Sequence, residues 1–341
     1  MMNSGTNARG AFSIRSQGAL LALIAVVAFG ALRYEHFIGA QNVSDVLANT
    51  SKFILISVGM AFVIMSGGID LSVGTVAVLA SVVAARASEH GIAPALLSGL
   101  LVGVAAGLLN GVLIARFQLM PFIVTLCTYI GARGVALIFS GRETVSISYE
   151  QGFDALGQGV FLGLPIPLWI AAAVVIAGEW LLRHAPFGRA VLAVGGNEEA
   201  ARLMGLPVTR VKIGVYAMSG ALAGLAGVIL ASQTSGSPTE GVGWELIAIA
   251  SVVVGGTLLT GGEGSVLNTV SGALLLAVIL NIINFENGYT GGPHLVLGSY
   301  WQTIVRGLFL LAVILLQARL VRARRSRGAP RQRQGASTHG P

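Results

Sequence analysis

Charge is scarce in this 341-residue chain: Asp, Glu, Lys and Arg together make up 10% of it, where soluble domains average roughly 25%. That shortage excludes an ordinary soluble globular protein. Cysteine is nearly missing. Cys127 stands alone inside an apolar run, so there is no disulfide framework and no thiol metal site, and the residue reads as a small packing side chain. Histidines His36, His90, His184, His294 and His339 are dispersed and form no ligand pair at metal-binding spacing. The G-x-S-x-G nucleophile turn is absent. So is the G-x-x-x-x-G-K-[ST] phosphate loop, which excludes ATP hydrolysis by that route. Metal-dependent, serine-nucleophile and phosphate-loop chemistry are all without support.

What fills the chain is apolar sequence: 54% of residues are hydrophobic and the mean hydropathy is +0.80. About 20 apolar residues span a bilayer as a helix. Candidate spans fall at 14–32, 51–67, 71–88, 92–114, 121–140, 164–182, 213–231, 244–260, 265–285 and 298–317. The first follows Arg9 and Arg15 and could imitate a signal peptide, but with so many spans after it the run reads as the first crossing. The second and third are short, and the polar turn Ser66-Gly67-Gly68-Ile69-Asp70 between them marks a pair that need not cross fully. The expected fold class is all-α, a polytopic membrane bundle of about ten helices.

Orientation follows from the basic residues, which gather on the cytoplasmic side. With the N-terminus inside, that side carries Arg9, Arg15, Arg116, Arg183, Arg189, Arg202, Arg210, Lys212 and the seven arginines from Arg319 onward. The other side carries Arg33, Lys52, Arg86 and Arg142, while Arg133 and Arg306 fall within spans. The reading is N-in and C-in, with a cytoplasmic segment 1–13, a membrane domain 14–317 and a basic tail 318–341. The tail has no acidic residue and is rich in Gly, Pro, Ser and Gln, so it reads as disordered chain facing anionic membrane lipid rather than nucleic acid.

Glycine indicates how the bundle packs. Gly99, Gly103, Gly107 and Gly111 recur every four residues in the fourth span, and Gly220 and Gly224 repeat the device in the seventh. Such faces let helix backbones approach where lipid supplies no hydrophobic drive.

One polar island, residues 183–212, interrupts the apolar sequence on the cytoplasmic side. Asn197 is a good N-cap, Glu198 and Glu199 place negative charge in the first turn, Gly205 can end a helix and Pro207 stops it. That frames about two turns, with Glu198 and Arg202 paired on the wet side and Ala200, Leu203 and Met204 forming an apolar ridge. Ionisable residues inside membranes are costly and mark function by default. Asp70 reads first as a cap for a helix opening at Leu71, ahead of a role in transport. Asn110, Thr125, Asn281 and Asn284 lie within spans, suited either to a hydroxylated solute or to interhelical hydrogen bonds.

Four stretches resemble one family. Ser66-Gly67-Gly68-Ile69-Asp70-Leu71-Ser72-Val73-Gly74, Pro121-Phe122-Ile123-Val124-Thr125-Leu126 with Arg133-Gly134, Phe187-Gly188-Arg189 with Ala193-Val194-Gly195-Gly196-Asn197 and Ala200-Ala201, and Gly241–Ala250 with Val254-Gly255-Gly256-Thr257 are similar to sugar ABC-importer permeases of the ribose type. The match runs in order over roughly residues 50–315. Within the family, Met204-Gly205 and Ile283-Asn284-Phe285 most resemble permeases for galactofuranose. The sequence departs from the family pattern at Met120, where many relatives carry a second proline, and at Cys127, where glycine is common. The loop 287–297 is longer than usual, on the side where a binding protein docks.

The resemblance implies a bacterial inner-membrane subunit with no cofactor of its own. ATP and its magnesium would be held by a cytoplasmic ABC ATPase, and a periplasmic or surface sugar-binding protein would deliver a monosaccharide such as galactofuranose or a pentose. A second copy or a sister permease would complete the pore. The residues Gly196, Asn197, Glu198, Glu199, Ala200, Ala201, Arg202, Leu203, Met204 and Gly205 would dock on the ATPase. Asp70, Asn110, Thr125, Asn281 and Asn284 are candidates for the pathway or its gate. The rival reading, an ion-coupled secondary transporter of a small polar solute, would need midplane carboxylates, and those present lie toward span edges.

Overall fold

The computed structural model describes residues 6–288 and positions 301, 304, 307, 308, 311 and 315, with side chains from residue 18. The chain begins with α1 (Thr6–Arg33) and α2 (Ala40–Met65), then passes through a glycine turn to α3 (Val73–Ala87). A single 3₁₀ turn, Ser88–His90, leads to α4 (Ile92–Phe117) and α5 (Pro121–Ser140). A connection containing α6 (Ala155–Gln158) and the antiparallel hairpin β1 (Val160–Phe161) and β2 (Leu164–Pro165) precedes α7 (Ile166–His184). Then come α8 (Pro186–Gly196), α9 (Glu198–Leu203), α10 (Val208–Gln233), α11 (Trp244–Val254) and α12 (Val266–Gly288).

Among the described residues, α2, α4, α5, α7, α10 and α12 are long and apolar enough to cross a membrane, and Gly18–Arg33 of α1 and α11 are shorter apolar helices. Each expected span from 14–32 to 265–285 coincides with a helix. The last, 298–317, lies largely outside the described residues, as do Arg306 and the tail. Two boundaries differ for physical reasons. Helix α2 begins at Ala40, well before the expected residue 51, because its first turns are polar but helical: Gln41 Nε2 donates to Asp45 Oδ1 at 3.1 Å and Asn49 Nδ2 to the Asp45 carbonyl at 2.9 Å. Helix α11 stops at Val254 instead of running on to 260, since Gly255 and Gly256 follow and Gly256 takes φ +88°. The rest of that crossing, 255–265, is irregular chain.

The turns sort into two ends. At one, Val145 pairs with Gly236, and the Ser148 amide donates to Ser88 Oγ at 2.9 Å. At the other, the Gly262 amide donates to the Met65 carbonyl at 3.0 Å, near α8 and α9. The core follows α2 and α10, which are buried over most of their length; from Ser57 to Met65 every α2 residue is buried. A helix apolar on all sides belongs inside a bundle. Against α10 lies α4, and the two backbones touch through the glycine rows. A methyl group placed on Gly103 would lie 2.1 Å from the Gly220 carbonyl oxygen, and one on Gly107 2.2 Å from that of Tyr216.

Cys127 is a correction to the sequence reading. Rather than packing inside the chain, it is exposed on α5 beside Phe122, Ile123, Leu126 and Ile130. This helix is apolar on nearly every face, so periodicity could not distinguish its buried side from its outer one.

The α4–α10 contact generates a test. Gly103→Val should destabilise the detergent-solubilised protein by about 3 kcal/mol, the upper end for overpacking, because the opposing atom is backbone. Gly134→Val, with no atom within 4 Å of the added carbon, should leave the unfolding temperature nearly unchanged. Equal thermal stability of the two variants would contradict the glycine-face packing.

Candidate functional site

The polar island folds into two short helices rather than one. Pro186 starts α8 at its first turn, where a missing N–H is harmless. Asn197 then caps α9, its Oδ1 accepting from the Ala200 amide at 2.9 Å. Arg202 Nη2 meets Glu198 Oε1 at 3.2 Å on the wet side, and Gly205 takes φ +80° after the helix. Two contacts anchor the segment inward. Ala201 is fully buried, and Glu198 Oε2 accepts from Lys212 Nζ of α10 at 2.6 Å. That ion pair is separated by 14 residues and has no signature in sequence, whereas the Asn197 cap and the Glu198–Arg202 spacing do. Outward, Leu203 is 84% and Met204 71% exposed. Glu199 and Gly196 are exposed beside them, and Ala200 is half-buried. Beside α9 lies a cavity of about 680 Å³ bordered by Gln118, Met120 and Leu203.

The candidate pathway residues separate into two groups. Asp70 and Asn110 join one buried network. Thr128 Oγ1 donates to Asn110 Oδ1 at 2.5 Å, Asn110 Nδ2 to Ser72 Oγ at 3.0 Å, and Ser72 Oγ to Asp70 Oδ1 at 2.6 Å. The Ser72 amide also reaches Asp70 Oδ1 at 3.0 Å, and Ser219 Oγ donates to Asp70 Oδ2 at 2.9 Å. The network ties the turn before α3 to α4, α5 and α10. Helix α3 opens at Val73, not Leu71, so Asp70 holds the turn before the helix instead of capping its first residue. Thr125 is buried but donates chiefly to its own helix, to the Pro121 carbonyl at 2.9 Å; the Ile69 carbonyl is 3.5 Å away. Thr128, one turn along α5, makes the link that sequence spacing alone could not assign.

Asn281 and Asn284 line a separate cavity of about 590 Å³ near the other end of the bundle. Ser219 and Gln233 mark the two levels along α10, roughly 21 Å apart at 1.5 Å per residue. Lys52 Nζ, on the cavity wall, donates to Gln233 Oε1 at 2.8 Å and Asn49 Oδ1 at 3.2 Å. Asn42 and Asn281 exchange amide hydrogen bonds at 3.2 and 3.0 Å. Phe53 and Trp244 meet edge to face with ring centroids 5.0 Å apart. The lining therefore combines amides, Asp45 and Glu240 carboxylates, one ammonium and two aromatic rings. Such a surface can hydrogen-bond hydroxyl groups and cover C–H faces.

The family model described as the branched-chain amino acid transport system / permease component matches residues 42–315. A ribose import permease protein from Haemophilus influenzae is 36% identical over 92% of this chain and 97% of its own length. That from Bacillus subtilis is 38% identical over 88% and 91%. An L-arabinose transport system permease protein of Escherichia coli is 39% identical over 80% and 81%. No solved structure matches.

The buried network is testable by a double-mutant cycle. Asn110→Ala and Thr128→Val should show a coupling energy of about 1 kcal/mol in detergent unfolding experiments, since each removes one shared hydrogen bond. Strictly additive effects would mean that the two side chains are not bonded.

Proposed function

The chain belongs to this permease-component family, and we propose that it is the membrane-spanning subunit of an ATP-driven sugar importer, working by alternating access coupled to separate ATPase subunits. The observation that carries the reading is the pair of exposed apolar side chains, Leu203 and Met204, at the end of a short helix anchored from behind by Ala201 and Lys212. An exposed apolar ridge flanked by charge is suited to a groove on a soluble partner. Residues 196–205 form the docking element for a cytoplasmic ABC ATPase, which holds the ATP and magnesium. Arg116, Arg183, Arg189, Arg202, Arg210 and Lys212 lie at the α9 end and support its placement in the cytoplasm. This gives the N-in, C-in orientation in a bacterial inner membrane.

Closure of the ATPases around ATP would push on α9 and tilt the attached α7 and α10, because a rigid docked helix lets nucleotide bias two states of the bundle. Asp70, Asn110 and Thr125 stand where a gate at the cytoplasmic end would close, with Asp70 held by three hydrogen bonds from Ser72 and Ser219. A carboxylate engaged in that way fits a structural latch better than an ion-coupling site, which favours the importer over an ion-driven carrier. Asn281 and Asn284 line the outer cavity, which would receive a sugar from a periplasmic or surface binding protein. The names of the relatives support a pentose, and Met204-Gly205 with Ile283-Asn284-Phe285 support galactofuranose. A second copy or a sister permease completes the pore.

Replacing Leu203 and Met204 together by Asp should abolish ATP-driven uptake while the chain stays in the membrane, because carboxylates buried in a docking groove cost several kcal/mol unless paired. Uptake of radiolabelled D-ribose, L-arabinose and galactofuranose by cells expressing the whole system measures this. Unimpaired uptake by the double variant sinks the docking assignment.

A further inference from the structure

Immediately before α9, three stretches of bare backbone meet. A methyl group on Gly195 of α8 would lie 1.8 Å from the Met65 carbonyl oxygen and 2.8 Å from the Gly262 amide nitrogen. That same Met65 carbonyl, at the end of α2, accepts the Gly262 amide at 3.0 Å. Gly261, at φ +82°, would carry a Cβ only 2.9 Å from both the Gly195 carbonyl oxygen and the Gly67 nitrogen. A Cβ on Gly262 would stand 2.7 Å from Gly196 Cα. No side chain separates the three stretches.

Each partner of Gly195 belongs to a break in a helix. The 66–72 turn joins α2 to α3 and carries Asp70 with its network; the 255–265 chain joins α11 to α12. Backbone groups that leave a helix need new partners, and here one hydrogen bond, from the Gly262 amide to the Met65 carbonyl, joins the two breaks. Helix α8 leads into α9 through a single extended residue, Asn197. The Asn197 amide donates to the Ala193 carbonyl at 3.1 Å, and the Ala201 amide to the Asn197 carbonyl at 3.0 Å. A side-chain contact can adjust by changing rotamer, but a contact between backbones has no such freedom, and close-packed interiors transmit displacement rather than absorb it.

We propose that Gly195, Gly67 and Gly261–Gly262 form a backbone clasp that positions the two helix breaks relative to the docking helix, so that movement of α9 carries both breaks as one body. The proposal rests on the docking assignment of α9 and names the residues through which that movement reaches the interior. A cavity of about 260 Å³ adjoins the clasp, bordered by Ser66, Gly68, Asn197, Tyr216 and Thr260, and provides room for the clasped unit to shift. Tyr216 Oη, on its wall, has no hydrogen-bond partner among the described residues. The glycines are positioning residues and touch no solute.

Distance measurement on the full transporter tests the clasp directly. With Cys127→Ser, nitroxide labels at Arg189→Cys and Glu263→Cys span it; labels at Arg189→Cys and Glu89→Cys run from α8 to the far end of the bundle. All three labelled positions are exposed. Trapping with ATP and vanadate should change the Arg189–Glu89 distance and leave Arg189–Glu263 unchanged. An Arg189–Glu263 distance that changes as much as the reference overturns the clasp while leaving docking intact. If neither pair moves, the docking assignment falls and the clasp with it. As a functional readout, Gly195→Ala should lower uptake by about tenfold relative to ATP hydrolysis, with ATPase association retained. Gly131→Ala, a helical glycine with no atom within 4 Å of the added carbon, should transport normally. Wild-type coupling in Gly195→Ala overturns the proposal, and should that variant fail to reach the membrane, the label pair decides.

Discussion

Backbone that leaves a helix must find new partners for its amides and carbonyls, and near α9 two stretches, 66–72 and 255–265, do so side by side. The Gly262 amide to Met65 carbonyl bond joins those two departures. Everything near the α9 end is arranged around that meeting. Gly195, Gly261 and Gly262 leave no room for a Cβ against neighbouring backbone, Gly67 takes φ +85°, and the turn after Met65 is stabilised by the hydrogen bonds to Asp70. The same reasoning explains the α4–α10 contact, where lipid gives helices no hydrophobic reason to associate. Close backbone packing has to supply the attraction.

From this arrangement the chain divides into a rigid interior and two working surfaces. Helices α2 and α10 form the interior, buried over most of their length. At one end α9 offers Leu203 and Met204 outward, braced by the Lys212 ion pair. An exposed salt bridge contributes little to stability, about 0–1 kcal/mol, so the pair matters mainly for fixing where α9 sits on α10. Toward the other end a cavity gathers amides, two carboxylates and the Lys52 ammonium. Beside α9 the helix breaks are joined backbone to backbone, a connection that is stiff.

Much of this was legible in the sequence, and the exceptions share a cause. Local signals held: the four-residue glycine register on α4, the Asn197 cap, the Glu198–Arg202 spacing and the positive-φ Gly205 all act within one or two turns. Contacts between distant segments could not be read. Lys212 meeting Glu198, Thr128 meeting Asn110, and Gln233 receiving Lys52 depend on how helices rotate against each other. Composition misled at α2, whose polar opening reads as loop yet is helical, and at α5, where uniform apolarity concealed that Cys127 faces outward. The family motifs pointed to the right class of protein because they cover the turns and helix ends where backbone geometry is most constrained.

Import driven by ATP requires that a separate ATPase bind and move this chain. Affinity purification of the tagged protein from gently solubilised native membranes, followed by mass spectrometry, measures that most directly. The account predicts an ATPase with a phosphate-binding loop in stoichiometric amount, accompanied by a second permease copy or a sister permease. Purification without any such ATPase, under conditions that keep a known importer intact, would contradict it.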